Sequence, residues 1–176
     1  GNVLISSTDK VTFATETATT VPGLNYSYNA KFMTSWGDVN LAHGYAFGGD
    51  RNSPASPGES GASTINKLTY ATETLSNIPA NTGLSPGSFQ NSSTSSSTHG
   101  YLLGGRFYPG YSAIPGTIRK FNFSTETRSN VPAPSAPEYR VHSANATGNS
   151  THGYYGGGTG DPGYPHRYTT IQKLSF

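Results

Sequence analysis

Three histidines recur in one tripeptide, as His43-Gly44-Tyr45, His99-Gly100-Tyr101 and His152-Gly153-Tyr154. Imidazole is the commonest metal ligand and the side chain whose charge changes nearest neutral pH, so a metal centre or a general base is the first chemistry to weigh. Neither finds its partners. No carboxylate accompanies the histidines at a fixed offset, and a symmetric repeat keeps equivalent side chains apart unless they line a common channel. They are read as structural, and no metal site is assigned. Glu16, Glu73 and Glu126 likewise recur, each inside a Thr-Glu-Thr tripeptide. Glycoside hydrolysis needs two carboxyl groups about 5 to 9.5 Å apart, and one carboxylate per repeat does not supply that pair. Serine is abundant, but no Gly-x-Ser-x-Gly elbow is present. The expectation is a protein that is not an enzyme and carries no cofactor.

A second set of residues suits binding. The segments after Gly48-Gly49, Gly104-Gly105 and Gly157-Gly158 are where the repeats diverge and where charge and aromatics gather. They hold Asp50 and Arg51; Arg106, Phe107, Tyr108 and Tyr111; and Asp161, Tyr164, His166, Arg167 and Tyr168. Insertions in a repeat commonly map to one face and build a binding surface. Tyr beside Arg and Asp can stack on a sugar ring and bond its hydroxyls, and Tyr and Arg are also frequent anchors of protein interfaces. The candidate ligand-binding set is therefore Arg51, Arg106, Tyr108, Tyr111, Tyr164, His166, Arg167 and Tyr168. Against it stands the plainer reading that Pro-Gly-Tyr strings are rigid turns with a Tyr packed over them.

The elements that carry these residues follow from a repeat. Lys-x-x-aromatic leading to Thr-Glu-Thr occurs at Lys10 to Thr17, Lys67 to Thr74 and Lys120 to Thr127, and a partial copy runs from Lys173 to Phe176. The lysines are 57, 53 and 53 residues apart. A β-branched residue and Pro come next, at Val21-Pro22, Ile78-Pro79 and Val131-Pro132. Segments such as Thr64 to Tyr70 and Thr170 to Phe176 alternate apolar and polar residues, the period of a half-buried strand. No helical period survives the Gly, Pro and Ser-Thr clusters. Each Thr-Glu-Thr should form the polar turn between a strand ending in an aromatic and a short strand ending in Pro. Each Gly pair should end the His-Gly-Tyr strand, where backbones crowd or φ is positive. A repeat of about 50 residues with several short strands is the signature of a propeller blade.

Composition narrows the class further. Of 176 residues 32% are hydrophobic and only 11% charged, against a usual charged share of about 25%. Twelve Tyr and eight Phe with a net charge of +2 describe a folded chain and not a disordered one. Eleven Lys plus Arg against nine Asp plus Glu, with no basic run, leave no stripe for a nucleic-acid backbone. The absence of Cys removes disulfides and thiolate metal sites. No segment approaches the ~20 apolar residues of a helical membrane span. The sequence opens on Gly1, so a processed chain or a piece of a longer one is expected.

In these motifs the chain resembles the kelch family: a strand ending in Gly-Gly, a variable loop, a strand ending in an aromatic, a Thr-rich turn, and a last strand before Pro. The likeness covers nearly the whole sequence. It departs from the usual kelch pattern in lacking a Trp in the final strand, the sole Trp, Trp36, lying elsewhere. In style it is similar to the Gly-, Ser- and Thr-rich kelch-like repeats of marine bacteriophage virion proteins, through the string Ala146-Thr147-Gly148-Asn149-Ser150-Thr151-His152-Gly153-Tyr154-Tyr155-Gly156-Gly157. The resemblance implies an all-β, kelch-like β-propeller of about three four-stranded antiparallel blades, part of a larger or oligomeric propeller. Its expected divisions are one repeat domain over 1–176, with a partial blade over 1–22, blades over 23–79 and 80–132, and an incomplete blade over 133–176. It also implies a structural or receptor-binding part of a virion or extracellular fibre, contacting neighbouring copies and a cell-surface glycan or protein receptor. The alternative is an intracellular kelch-type scaffold for protein partners. Low charge, abundant Ser and Thr and the lack of Cys lean toward the exposed assembly. A sugar-oxidising or glycan-cleaving propeller would need a convergent metal or carboxylate site, which the sequence does not offer.

Overall fold

The computed structural model describes residues 7–26, 31–37, 42–50, 64–78, 88–107, 112–113, 118–131, 141–142, 144–160 and 169–176. Among them there is no helix. The alternating segments form strands in antiparallel meanders. An N-terminal hairpin pairs β1 (Ser7–Thr12) with β2 (Thr17–Asn25). Sheet I follows in the order β3 (Lys31–Gly37), β4 (His43–Asp50), β5 (Ile65–Thr69) and β6 (Thr74–Ile78). Two short strands, β7 (Ser88–Phe89) and β10 (Arg106–Phe107), are joined by β11 (Ser112–Ala113). Sheet II consists of β8 (Ser92–Ser95), β9 (His99–Leu103), β12 (Ile118–Asn122) and β13 (Thr127–Val131). The pair β14 (Val141–His142) and β17 (Thr159–Gly160) accompanies sheet III, which holds β15 (Asn145–Gly148), β16 (His152–Gly156) and β18 (Ile171–Ser175).

Each Thr-Glu-Thr forms a turn as the residue types require. Thr12 pairs Thr17, Thr69 pairs Thr74 and Asn122 pairs Thr127, leaving four-residue loops. The Glu that closes each loop is left-handed, with φ of 51°, 50° and 53° at Glu16, Glu73 and Glu126. Flanking hydroxyls bond each other across it, Thr15 to Thr17 at 2.7 Å, Thr72 to Thr74 at 2.8 Å and Thr125 to Thr127 at 2.7 Å.

Two details differ from the sequence reading. The Gly pair ends its strand in the second and third repeats, where β9 stops at Leu103 and β16 at Gly156, but β4 runs straight through Gly48-Gly49. In the later repeats the ladder is interrupted at the Gly pair and resumes in the same register, Ser92 opposite Leu103 and then Phe89 opposite Arg106. All six glycines have positive φ, from 59° to 99°, which a glycine adopts without a Cβ penalty. Nor does β2 stop at Val21-Pro22. It continues to Asn25 through a register shift, a bulge that tolerates the missing N–H of Pro.

The sheets pack face to face. Trp36, Tyr45, Phe47, Ile65 and Ile78 of sheet I share one core with Leu102 and Phe121 of sheet II. Tyr101, Leu103 and Ile118, on the other face of sheet II, share a second core with Tyr155 and Leu174 of sheet III. Sheet II is thus buried on both faces, so its strands carry apolar residues at successive positions, as in Tyr101-Leu102-Leu103. The first strands of the sheets adjoin one another through polar contacts: Thr34 Oγ1 lies 2.8 Å from Ser93 Oγ, and Ser93 Oγ donates to the Ser35 carbonyl at 2.8 Å. Ser92 Oγ donates to the Ala144 carbonyl in the same way.

Candidate functional site

The divergent loops spring from the Gly pairs, and sheet II shows their base most fully. Gly104 and Gly105 lie opposite Gln90 and Asn91, where the backbone of Gln90 is also left-handed at φ 55°. A Cβ on Gly105 would fall 2.0 Å from Asn91 Oδ1, so this corner accepts only glycine. Arg106 then starts β10, paired with Phe89 on one side and Ala113 on the other, with its side chain half-buried. Of the proposed ligand-binding set, Arg106 alone is placed. Arg51, Tyr108, Tyr111, Tyr164, His166, Arg167 and Tyr168 lie outside the described residues.

On β12 of the same sheet is Arg119, which the sequence reading passed over. It is buried, and its Nη2 donates to Ser88 Oγ at 2.9 Å and to Asn91 Oδ1 at 3.1 Å. Burial, reinforced by the charge of Arg128, pushes its pKa down to about 9. Arg119 thus ties β12 to Ser88 of β7 and to Asn91, across the sheet from the Gly pair. The position just before the repeated Lys is Asn66 in sheet I and Gln172 in sheet III. All three are polar where a strand alternation would allow an apolar residue, which was the available signal.

No family model matches this chain. No curated protein matches it either. The chemistry has to be read from the side chains themselves. The repeated histidines sit one per sheet in local bonds: His99 Nδ1 lies 2.7 Å from Thr98 Oγ1 and its Nε2 3.1 Å from Asn122 Nδ2, while His152 Nδ1 lies 2.8 Å from Thr151 Oγ1. Partial burial, with the Lys120 charge as a lesser cause, lowers the pKa of His99. Among the described residues no three His, Asp or Glu side chains gather as a metal would need.

The repeated glutamates are tied to the preceding repeat. Lys10 Nζ meets Glu73 Oε1 at 2.6 Å, and Lys67 Nζ meets Glu126 Oε1 at 2.5 Å. The aromatics obey the same rule: Tyr45 stacks on Phe123 at 5.2 Å and 11°, and Tyr101 on Phe176 at 4.5 Å and 12°. Lys, Glu, Tyr and the strand-ending aromatic therefore form a repeated joint between one sheet and the next. The sequence displayed them at constant offsets but could not say which repeat each one touched.

Proposed function

We propose that this chain is a non-enzymatic binding and structural module, a kelch-like β-propeller segment of a virion or extracellular fibre, whose loops after each Gly pair take a glycan. The observation that carries the reading is the repeated joint. The same Lys–Glu and Tyr–aromatic contacts link successive antiparallel sheets, and blades stacked around an axis need such an invariant joint. An invariant frame with divergent insertions is also the design expected of a scaffold that presents loops. His99 and His152 are held in local bonds and Glu73 and Glu126 in the joint, which favours binding over catalysis.

The test is a glycan array probed with the whole chain and with Tyr108→Ala and Tyr164→Ala. Binding that disappears in these variants and survives in Tyr70→Ala supports the reading. Binding that persists in the loop variants removes the loops from the site, and a chain that binds no glycan removes this ligand class.

A further inference from the structure

We propose that the segment 88–91 couples the roots of the first two divergent loops, those after Gly48-Gly49 and Gly104-Gly105, so that a ligand held by one loop is felt at the other. The inference rests on the reading of these loops as the binding part of the chain. The segment lies between the Gly pair of sheet I and the Gly pair of its own repeat, and it abuts both. A Cβ on Gly48 would fall 2.6 Å from the Ser88 carbonyl oxygen and 3.2 Å from Asn91 Nδ2. A Cβ on Gly105 would fall 2.0 Å from Asn91 Oδ1 and 3.1 Å from the Phe89 carbonyl oxygen. One carboxamide therefore stands between two loop roots that belong to different repeats. The ladder carries the same segment on toward the second loop, since Phe89 pairs Arg106 and Ser88 pairs Phe107.

The arrangement is particular to this junction and not part of the repeated frame. Thr34, Ser92 and Asn145 are equivalent, each opposite the residue that precedes a Gly pair, namely Phe47, Leu103 and Gly156. The residues before them are Met33, Asn91 and Ala144, so the second repeat alone of the three has a carboxamide there. The position before the repeated Lys is Asn66, Arg119 and Gln172, and it is a cation in the same repeat. Arg119 Nη2 donates to Ser88 Oγ at 2.9 Å and to Asn91 Oδ1 at 3.1 Å, so one nitrogen holds both ends of the segment. Hydrogen bonds from an ionised donor are about twice as strong as neutral ones, and a close-packed interior transmits displacement instead of absorbing it. A ligand that moves Gly48 must therefore move Ser88 and Asn91, and with them Phe107 and Gly105. Coupling between two sites is reciprocal, so the second loop acts on the first in the same measure.

The experiment is hydrogen exchange read by mass spectrometry on the whole chain without ligand, with circular dichroism confirming that each variant is folded. Peptides over 44–49 and 102–107 report the two roots, and β16 serves as the reference. Asn91→Leu keeps a similar shape but removes the acceptor of Arg119. It is expected to speed exchange at both roots by at least about twofold, the low end of coupling between residues in contact, and to leave β16 unchanged. Asn91→Asp retains the acceptor and should keep both roots near the parent rate. Gly48→Ala should speed exchange at 102–107, and Gly105→Ala at 44–49. Exchange that quickens only in the root nearest each substitution overturns the proposal. So does a uniform rise that includes β16, which would show the segment supporting the whole chain and not linking two roots. No ligand takes part, so a negative glycan array leaves this result standing and the two readings fail separately.

Discussion

Gly100→Ala tests the joint at its tightest point. A Cβ on Gly100 would lie 2.4 to 2.8 Å from Cδ2, Cε2 and Cε3 of Trp36, while carbon atoms pack best about 3.5 to 4.0 Å apart. The indole would have to retreat by about 1 Å. It is poorly placed to do so, since its Nε1 donates to the Tyr101 carbonyl at 3.0 Å and its ring lies 3.9 Å from Phe47 and 5.5 Å from Phe121. Overpacking of this kind costs about 1 to 3 kcal/mol, offset by the 0.5 to 1 kcal/mol or so that Ala gains over Gly in a strand. The expected net loss is on the order of 1 to 2 kcal/mol, or roughly 2 to 8 °C in Tm for a chain of this size. Trp36→Ala alone should cost about 3 to 5 kcal/mol. The double variant decides the matter: with the indole gone the new methyl has room, so it should be no less stable than Trp36→Ala. Urea unfolding followed by circular dichroism reads all three. Gly37→Ala, where a Cβ meets nothing within 4 Å, is the control and should leave stability unchanged or slightly raised. If the two single losses add within about 0.5 kcal/mol, Gly100 and Trp36 do not press on one another and the described joint is wrong.

Two further outcomes follow from the turns and the histidines. Glu16 and Glu126 share left-handed backbone that costs a non-glycine residue roughly 1 to 2 kcal/mol, but of the two only Glu126 has an ion pair among the described residues, worth about 0.2 to 1 kcal/mol for a half-exposed couple. Glu16→Gly should therefore raise the Tm of the monomeric chain more than Glu126→Gly does, and equal gains would show the Lys67–Glu126 pair to be idle. The folded state lowers the pKa of His99, so the unfolded chain binds more protons below the ordinary value of about 6.5. Stability should be level above that pH and fall as pH drops toward the lower folded value. Thermal melts of the wild type and His99→Gln should show the variant losing part of this slope, and identical slopes would assign the acid sensitivity elsewhere.

The sequence was most legible where a residue's role is local. Alternation in Ile65-Asn66-Lys67-Leu68-Thr69 marks a strand whichever neighbour it has, and Thr-Glu-Thr marks a turn because its hydroxyls bond within two residues. The Gly pairs were recognised as special backbone that ends a strand, which holds for β9 and β16; that the ladder resumes beyond them in the same register depends on what lies across the sheet, at Gln90 and Asn91 in sheet II. Contacts between repeats were invisible for the same reason. Lys67 bonds the Glu of the next repeat and not its own, and nothing in a periodic string distinguishes the two. The buried Arg119 escaped because a lone Arg in a strand reads as surface. The loops themselves, with seven of the eight proposed ligand residues, stay a reading of sequence alone.

The joint also bears on the composition argument. Abundant Ser and Thr first suggested an exposed assembly, on the ground that such surfaces tolerate polar, uncharged residues. Yet Ser92 and Thr94 are buried, and Ser93, Ser92 and Ser95 each reach a backbone carbonyl of a neighbouring sheet. Where the first strands of successive sheets meet, little room exists for long side chains, and a hydroxyl is the shortest group that can satisfy a carbonyl across the gap. A chain built this way needs Ser and Thr in every repeat wherever it works, inside a cell or outside one. Part of the hydroxyl content is therefore spent on the frame, and the case for an extracellular fibre has to rest on the loops, which the glycan array reaches directly.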